Sequence, residues 1–254
     1  MPNYRLDIAY DGSGFYGYAK QPNVRTVQGV LEAALEPYTG GAVTYVAGRT
    51  DKGVHATDQV VSFVCDDLDT ARVLRSLNRQ LGPAIAAQAL AVVDDTFHAR
   101  FSATGRAYRY RILNSRVHEP LTAGTEWTVA RPLDVDQMND AAVQFVGEHD
   151  FAALCRRFED KSTTRTVVWS RWRRKADRLD LSMGAHAFCH QMVRSVVALC
   201  VEVGRGDRSA EEIRDIISGK SRDTIKGVLA PPQGLSLVAV AYDHEPIPRP
   251  KWAK

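Results

Sequence analysis

The chain has 254 residues, 44% of them hydrophobic and 25% charged, with a net charge of +3. This is an ordinary globular mix, long enough for one large domain or two medium ones with a sizeable core. Cys65, Cys155, Cys189 and Cys200 are far apart and never form C-x-x-C. That excludes a zinc knuckle and a disulfide framework and points to reduced thiols in a cytoplasmic protein. The first residues carry Arg5, Asp7 and Asp11 and no apolar run, so no signal peptide is expected. The longest apolar stretch, VVALCV at 196–201, is cut by Glu202 and is far too short to span a bilayer.

In chain order, YRLDIAY at 4–10 alternates apolar and polar residues and predicts a half-buried strand. Thr26 is a candidate cap for a helix with Val27, Val30, Leu31, Ala34, Leu35 and Tyr38 on one face, stopped by Gly40-Gly41. Strands are predicted at 43–47, 58–64 and 86–93. Between the last two, a helix capped by Thr70 turns Val73, Leu74, Leu77 and Leu81 to one side. The first hundred residues thus read β-α-β-β-α-β. RAYRYRIL at 106–113 starts a second cycle, followed by a helix from Asp134 burying Val135, Met138, Ala142 and Phe145. Strands at 166–174 and 178–185 and a helix at 189–203 come next. A short helix from Ser209 follows, with Glu212 completing a capping box and Gly219 ending it. LSLVAVAY at 235–242 is the last strand, and EPIPRPKWAK is a proline-broken basic tail. The expected fold is α+β. Two ferredoxin-like or RRM-like halves, 1–104 and 105–254, share a mainly antiparallel sheet with helices packed on it and a basic cleft between them.

Charge is uneven along the chain. From Thr96 to His118 there is no acid but Arg100, Arg106, Arg109, Arg111 and Arg116; from Lys161 to Ala176 there is again none, with Arg165, Arg171, Arg173, Arg174 and Lys175. Two such segments in a near-neutral protein suggest one positive surface for a polyanion, against the plainer alternative of a solvated strand face.

Several motifs fail on inspection. GSGFYG at 12–17 satisfies G-x-G-x-x-G after a strand, but no helix opens at once to hold a pyrophosphate, so it reads as a loop. GKS at 219–221 lacks the glycine a P-loop needs five residues earlier, where Arg214 stands. His186 and His190 share a helical spacing without the adjacent Glu of a zinc protease, and G-x-S-x-G is absent. No metal is expected.

AGRTDKGVHA at 47–56 is different. It sets Arg49, Asp51, Lys52 and His55 between two glycines at a strand junction. A carboxylate there can reach a cleft with little obstruction and act as nucleophile or base if ionised and shielded from water. A nearby cation would hold it ionised, and the candidates are Arg49 and Arg194. Arg194 lies in the otherwise apolar FCHQMVRSVV, where it asks for a partner. The residues alone favour the plainer reading, a structural ion pair or Arg194 on the exposed side of its helix.

GRTDKGVHA closely resembles the G-R-T-D-x-G-V-H-A signature of the tRNA pseudouridine synthase A family. FYGYAKQPNVRTVQGVLEAAL (15–35), FHARFSATGRAYRY (97–110), FCHQMVRSVV (188–197) and PPQGLSLVAVAY (231–242) are similar to further blocks of that family, in order. The resemblance implies isomerisation of uridine to pseudouridine at positions 38, 39 and 40 of the tRNA anticodon arm, without cofactor or metal, by a homodimer. It implies that Asp51 is the catalytic carboxylate. Tyr108 stacks on the extruded base and assists loss of its C5 proton, and Arg194 pairs with the carboxylate. Arg49 displaces the base, and Leu235 walls the site. Arg106, Arg109, Arg171, Arg173 and Arg174 are candidates for backbone contacts to the RNA. Tyr16 and Tyr18 stand where His and Trp are common in the family, and Ser195 and Ala198 where Asn and Gly are usual. A non-catalytic RNA-binding protein of the same fold is the competing reading, for which Asp51 would be superfluous. A zinc deaminase would need ligands the chain lacks.

Overall fold

The computed structural model describes residues 1–156, 162–219, 229–243 and 245–250. The end of the basic tail and the last two residues of GKS lie outside them. In chain order the elements are β1 (Asn3–Tyr10), α1 (Val27–Thr39), β2 (Tyr45–Val46), β3 (His55–Val64), α2 (Thr70–Leu81), β4 (Ile85–Val93) and β5 (Gly105–Leu113). Then come β6 (Trp127–Thr128), α3 (Val135–Val143), β7 (Gly147–Asp150), β8 (Thr164–Lys175), β9 (Arg178–Ala185), α4 (Met192–Gly204), α5 (Ala210–Ser218) and β10 (Leu235–Ala241). The mixed α+β class with mainly antiparallel strands is as expected. The chain divides into two units, 1–104 with 236–246 and 105–235 with 247–254.

In the first unit the strand order is β4-β1-β3-β10. β1 pairs antiparallel with β3 and β4, and its alternation buries Tyr4, Leu6, Ile8 and Tyr10. α1 is capped by Thr26, whose side chain accepts from Gly29 N, and buries Val27, Leu31, Ala34 and Leu35. α2 starts differently from the expectation. Asp69 is the cap, because its carboxylate accepts from Arg72 N at 2.9 Å, and Thr70 is the first helical residue. β2 is shorter than 43–47, since the Thr44 carbonyl and hydroxyl are engaged by Gln28 and Glu32 of α1. β3 starts earlier than expected, at His55, and there it gains a parallel neighbour: Ser236 and Leu237 of β10 pair with His55 and Ala56. Residues 236–246 therefore group with the first unit, although the sequence places them in the second half.

In the second unit the order is β5-β9-β8-β7, all antiparallel, with β6 parallel to β5. β6 and β7 are too short to announce themselves by alternation. Asn139 of α3 clamps Trp172 of β8, accepting from its backbone N–H at 2.8 Å and donating to its carbonyl at 3.3 Å. α4 is buried nearly all round, with Arg194 and Glu202 only half-buried. The capping box of α5 forms between Ser209 and Glu212 as predicted. Cys65, Cys155 and Cys200 are buried and Cys189 is half-buried. Among the described residues no helix is long and apolar enough to cross a membrane.

Burial leaves a mark on titration. It pushes the Tyr10 hydroxyl from 10.0 up to about 12 and the Cys200 thiol from 9.0 up to about 12. Both groups hold their protons more tightly folded than unfolded. Their contribution is complete below about pH 9, and it is lost as pH rises from 9 for Cys200, and from 10 for Tyr10, towards 12. Stability measured by urea titration should therefore fall above pH 9, by about 1.4 kcal/mol per pH unit for each ionising group. Tyr10→Phe should flatten that fall above pH 10. A fall as steep in Tyr10→Phe as in the wild type would contradict the assignment.

Candidate active site

The loop 47–54 lies between β2 and β3 and carries Arg49 and Asp51. Ala47 N donates to Val60 O at 2.9 Å, and the ladder then stops. Asp51 opens a turn closed by Val54 N donating to Asp51 O at 3.1 Å, with Gly53 at φ +78°. The third position of such a turn demands a positive φ, which is why a glycine stands there. Arg49 is exposed and Asp51 half-buried.

The segment set aside as a false dinucleotide motif supports this turn. It forms a single 3-10 turn, Gly12–Gly14, capped by Asp11, and no helix N-terminus follows at once. Tyr18 N donates to Thr50 O at 3.0 Å, and Gly12 N donates to His55 Nδ1 at 3.1 Å. A Cβ on Gly12 would sit 2.0 Å from Val54 O, and one on Gly17, at φ +95°, 3.0 Å from Thr50 O. The two backbones are thus in contact at both ends of the turn. His55 Nδ1, as acceptor from Gly12, puts the neutral ring's proton on Nε2. The same nitrogen is 3.1 Å from Asp11 Oδ1, a contact that becomes an ion pair only when the ring is charged. Burial opposes ionisation of Asp11, but the Ser13 amide and hydroxyl and the His55 ring outweigh it and hold its carboxyl below the usual range. From the turn itself, Lys52 Nζ lies 3.9 Å over the Tyr16 ring, and Arg25 lies 4.3 Å over Phe15.

Tyr108, Arg194 and Leu235 belong to the second unit. Tyr108, opposite Met183 on β5, is 9% exposed and meets Phe188 edge-on, ring centres 5.0 Å apart. Tyr110 shares its face. Its hydroxyl donates to Pro231 O at 2.8 Å, and Arg194 Nε donates to the adjacent Ala230 O at 2.7 Å, while Ala230 N donates back to Arg194 O at 3.2 Å. One short segment before β10 thus anchors both side chains. Burial drives the Tyr110 hydroxyl well above its ordinary value, and the Arg194 charge works the other way. Leu235, directly after this segment, is 6% exposed.

The expected basic residues separate by face. Across β5, β9 and β8 the register aligns Arg109–Ser182–Arg171 and, next to it, Arg111–Asp180–Arg173. Directly opposed residues share a face, so these four arginines lie on the face of Asp180, with Arg111 at 3.9 Å and Arg173 at 3.8 Å from it. Burial, and then the Arg111 charge, pull the Arg109 guanidinium below its ordinary value, with Asp180 opposing. Arg106 and Arg174 lie on the other face and bond to backbone carbonyls, Arg106 to His186 O at 3.1 Å and Arg174 to Leu133 O at 2.7 Å. Arg111, which sequence reasoning left off its list of RNA-contacting candidates, stands in the rows. The strand alternation of RAYRYRIL was the signal that could have separated them.

A family model described as tRNA pseudouridine synthase matches residues 8–102 and 141–243. A protein named tRNA pseudouridine synthase A from Caulobacter sp. (strain K31) is 40% identical over 253 residues, covering 96% of this chain and 100% of the relative. Relatives of the same name from Streptomyces griseus and Hyphomonas neptunium are 42% and 40% identical over 248 residues each. They cover 94% and 95% of this chain and 87% and 99% of their own lengths. Among solved structures, a chain from a crystal structure of a Cbf5–Nop10–Gar1 complex aligns with a TM-score of 0.37 at 13% identity over 94% of this chain and 50% of its own, and is too distant to carry an argument. With the family model spanning most of the chain and near full-length relatives at about 40% identity, the chain belongs to the tRNA pseudouridine synthase family.

Proposed function

We propose that this chain isomerises uridine to pseudouridine at positions 38, 39 and 40 of tRNA, with Asp51 as the reacting carboxylate. The observation that carries this reading is the Asp51 turn itself, a half-buried carboxylate on a loop whose backbone is pinned from both sides. Family membership supplies the reaction; the geometry of the turn supports the residue.

The reaction breaks the N1–C1′ bond, turns the freed base and joins C5 to C1′. Formally, the C5 hydrogen leaves as a proton and N1 gains one, so atoms and electrons balance without an oxidant or a second substrate. The reacting atoms are out of reach in a stacked stem, so the uridine must be extruded. Tyr108 is a flat platform for any base, and its edge contact with Phe188 fixes its plane. Asp51 then adds to C6, attacks C1′ or removes the C2′ proton; all three routes need it ionised. Arg49, exposed two residues away on the same loop, fills the place of the extruded base. The family resemblance assigns Arg194 to the catalytic carboxylate, and the Ala230 carbonyl holds its Nε. Leu235 walls the site. The rows of Arg109, Arg111, Arg171 and Arg173 read phosphates rather than bases, which suits an enzyme acting at several neighbouring positions. The working form is a homodimer in the cytoplasm.

Asp51→Asn should abolish pseudouridine formation, read by chromatography of fully digested tRNA because the product has the mass of uridine. Its tRNA affinity should stay near that of the wild type; retained turnover would refute the carboxylate's role. Arg194→Ala removes the partner of the buried Ala230 carbonyl and should cost about 1–3 kcal/mol of stability together with activity. An unchanged melting temperature with full activity would contradict both of its roles. Arg171→Gln with Arg173→Gln should reduce the slope of log K against log salt by about one per lost phosphate contact. A parallel line displaced downward would show that these arginines do not touch phosphate.

A further inference from the structure

The loop 47–54 belongs to no strand, so its backbone groups need partners from elsewhere. Side chains from β1 and β3 reach into it, Gln59 to the Gly48 backbone and Tyr10 to the Thr50 hydroxyl. Gln59, fully buried, donates to Gly48 O at 2.7 Å and accepts from Gly48 N at 3.4 Å. Its amide also donates to Tyr10 Oη at 3.2 Å, and Tyr10 Oη lies 2.8 Å from Thr50 Oγ1. Gly48 and Thr50 are the residues on either side of Arg49, and Thr50 precedes Asp51.

Counting hydrogens fixes the Gln59 end. One hydrogen of Gln59 Nε2 goes to Gly48 O and the other to Tyr10 Oη. Between Tyr10 Oη and Thr50 Oγ1 either hydroxyl can be the donor. Gln59, Tyr10 and Thr50 thus form one continuous chain, and burial keeps the tyrosine protonated through the neutral range. The strand pairing is adapted to it. Ile8 faces Gln59 but Tyr10 faces Ala56, so β1 and β3 slip by one residue between these pairs. A bulge of this kind re-aims a side chain and is common beside active sites.

We propose that Tyr10 and Gln59 are positioning residues for the isomerisation, setting where Arg49 and Asp51 stand without touching the RNA. This rests on Asp51 being the reacting carboxylate. A network serving only general stability could cross any part of the core; this one ends on the Gly48 backbone and the Thr50 hydroxyl, on either side of Arg49. A displacement of about 1 Å at a reacting group can cost about a hundredfold in rate.

The test is single-turnover conversion of unmodified tRNA transcript at saturating enzyme, with the dissociation constant and melting temperature measured beside it. Tyr10→Phe should lower the rate constant about tenfold or more while the dissociation constant stays within about twofold, since phosphate contacts carry affinity. Thr50→Val should reproduce the loss and Thr50→Ser, which keeps the oxygen, should restore the rate, which separates positioning from misfolding. The double variant Tyr10→Phe/Thr50→Val should be no slower than either single one, because both remove the same bond. A wild-type rate constant in Tyr10→Phe, or losses that multiply in the double variant, would overturn the proposal. Asp51→Asn is run in parallel. If it is inactive while Tyr10→Phe is at wild-type rate, the positioning inference alone fails; if it turns over, the catalytic reading fails and takes this one with it.

Discussion

The bond between Tyr10 Oη and Thr50 Oγ1, 2.8 Å long and buried, joins the end of the first strand to a loop that has no strand pairing of its own. Most of what is distinctive in the first unit serves that loop. The bulge in β3 falls beside Gln59 and across from Tyr10, Gln59 holds Gly48, and the Gly12–Tyr18 segment takes the Thr50 carbonyl from the far side. A loop would ordinarily be a mobile place for chemistry. Here it is tied by side chains from rigid strands, the arrangement a reaction needs when a carboxylate must meet an extruded base without adjusting to it.

The second unit shows two uses of arginine. Arg194 has its backbone and its side chain both bonded to Ala230, beside a tyrosine bonded to Pro231, so its place is fixed in detail. Arg109, Arg111, Arg171 and Arg173 are brought side by side by the register of three strands, with Arg111 and Arg173 paired to Asp180. Like charges set side by side on a partly desolvated face are costly in the free protein, and a polyanion relieves that cost. A fixed arginine suits a reacting centre, and a crowded row suits a phosphate backbone whose sequence does not matter.

Much of this was legible beforehand. The periodicity found the long helices and strands because one face of each meets a core, whereas the block containing Asp51 stood out through its resemblance to a family signature, since its residue types alone also suit a plain turn. Other features depended on tertiary partners. Asp69 won the cap of α2 from Thr70 because its carboxylate reaches the right amide, and β10 left the second half of the chain for a parallel place beside β3. The Gly12–Gly17 stretch was correctly refused as a nucleotide motif, yet its reason for being glycine-rich, contact with the Thr50 and Val54 carbonyls, is visible only in three dimensions. Gln59 did leave a signal, a polar residue on the inward alternation with Val61 and Phe63. Nothing in the sequence told which backbone it would hold.

Native-state hydrogen exchange tests the central claim, that the loop bearing Asp51 is as firmly held as the strands it joins. The amides of Tyr18, Gly48 and Val54 report on it directly, since each closes a bond to or within this loop. They should exchange with protection approaching that of the amides in β1 and β3, opening only with the unit as a whole. Exchange of all three at rates typical of a surface loop, while the strands stay protected, would contradict it.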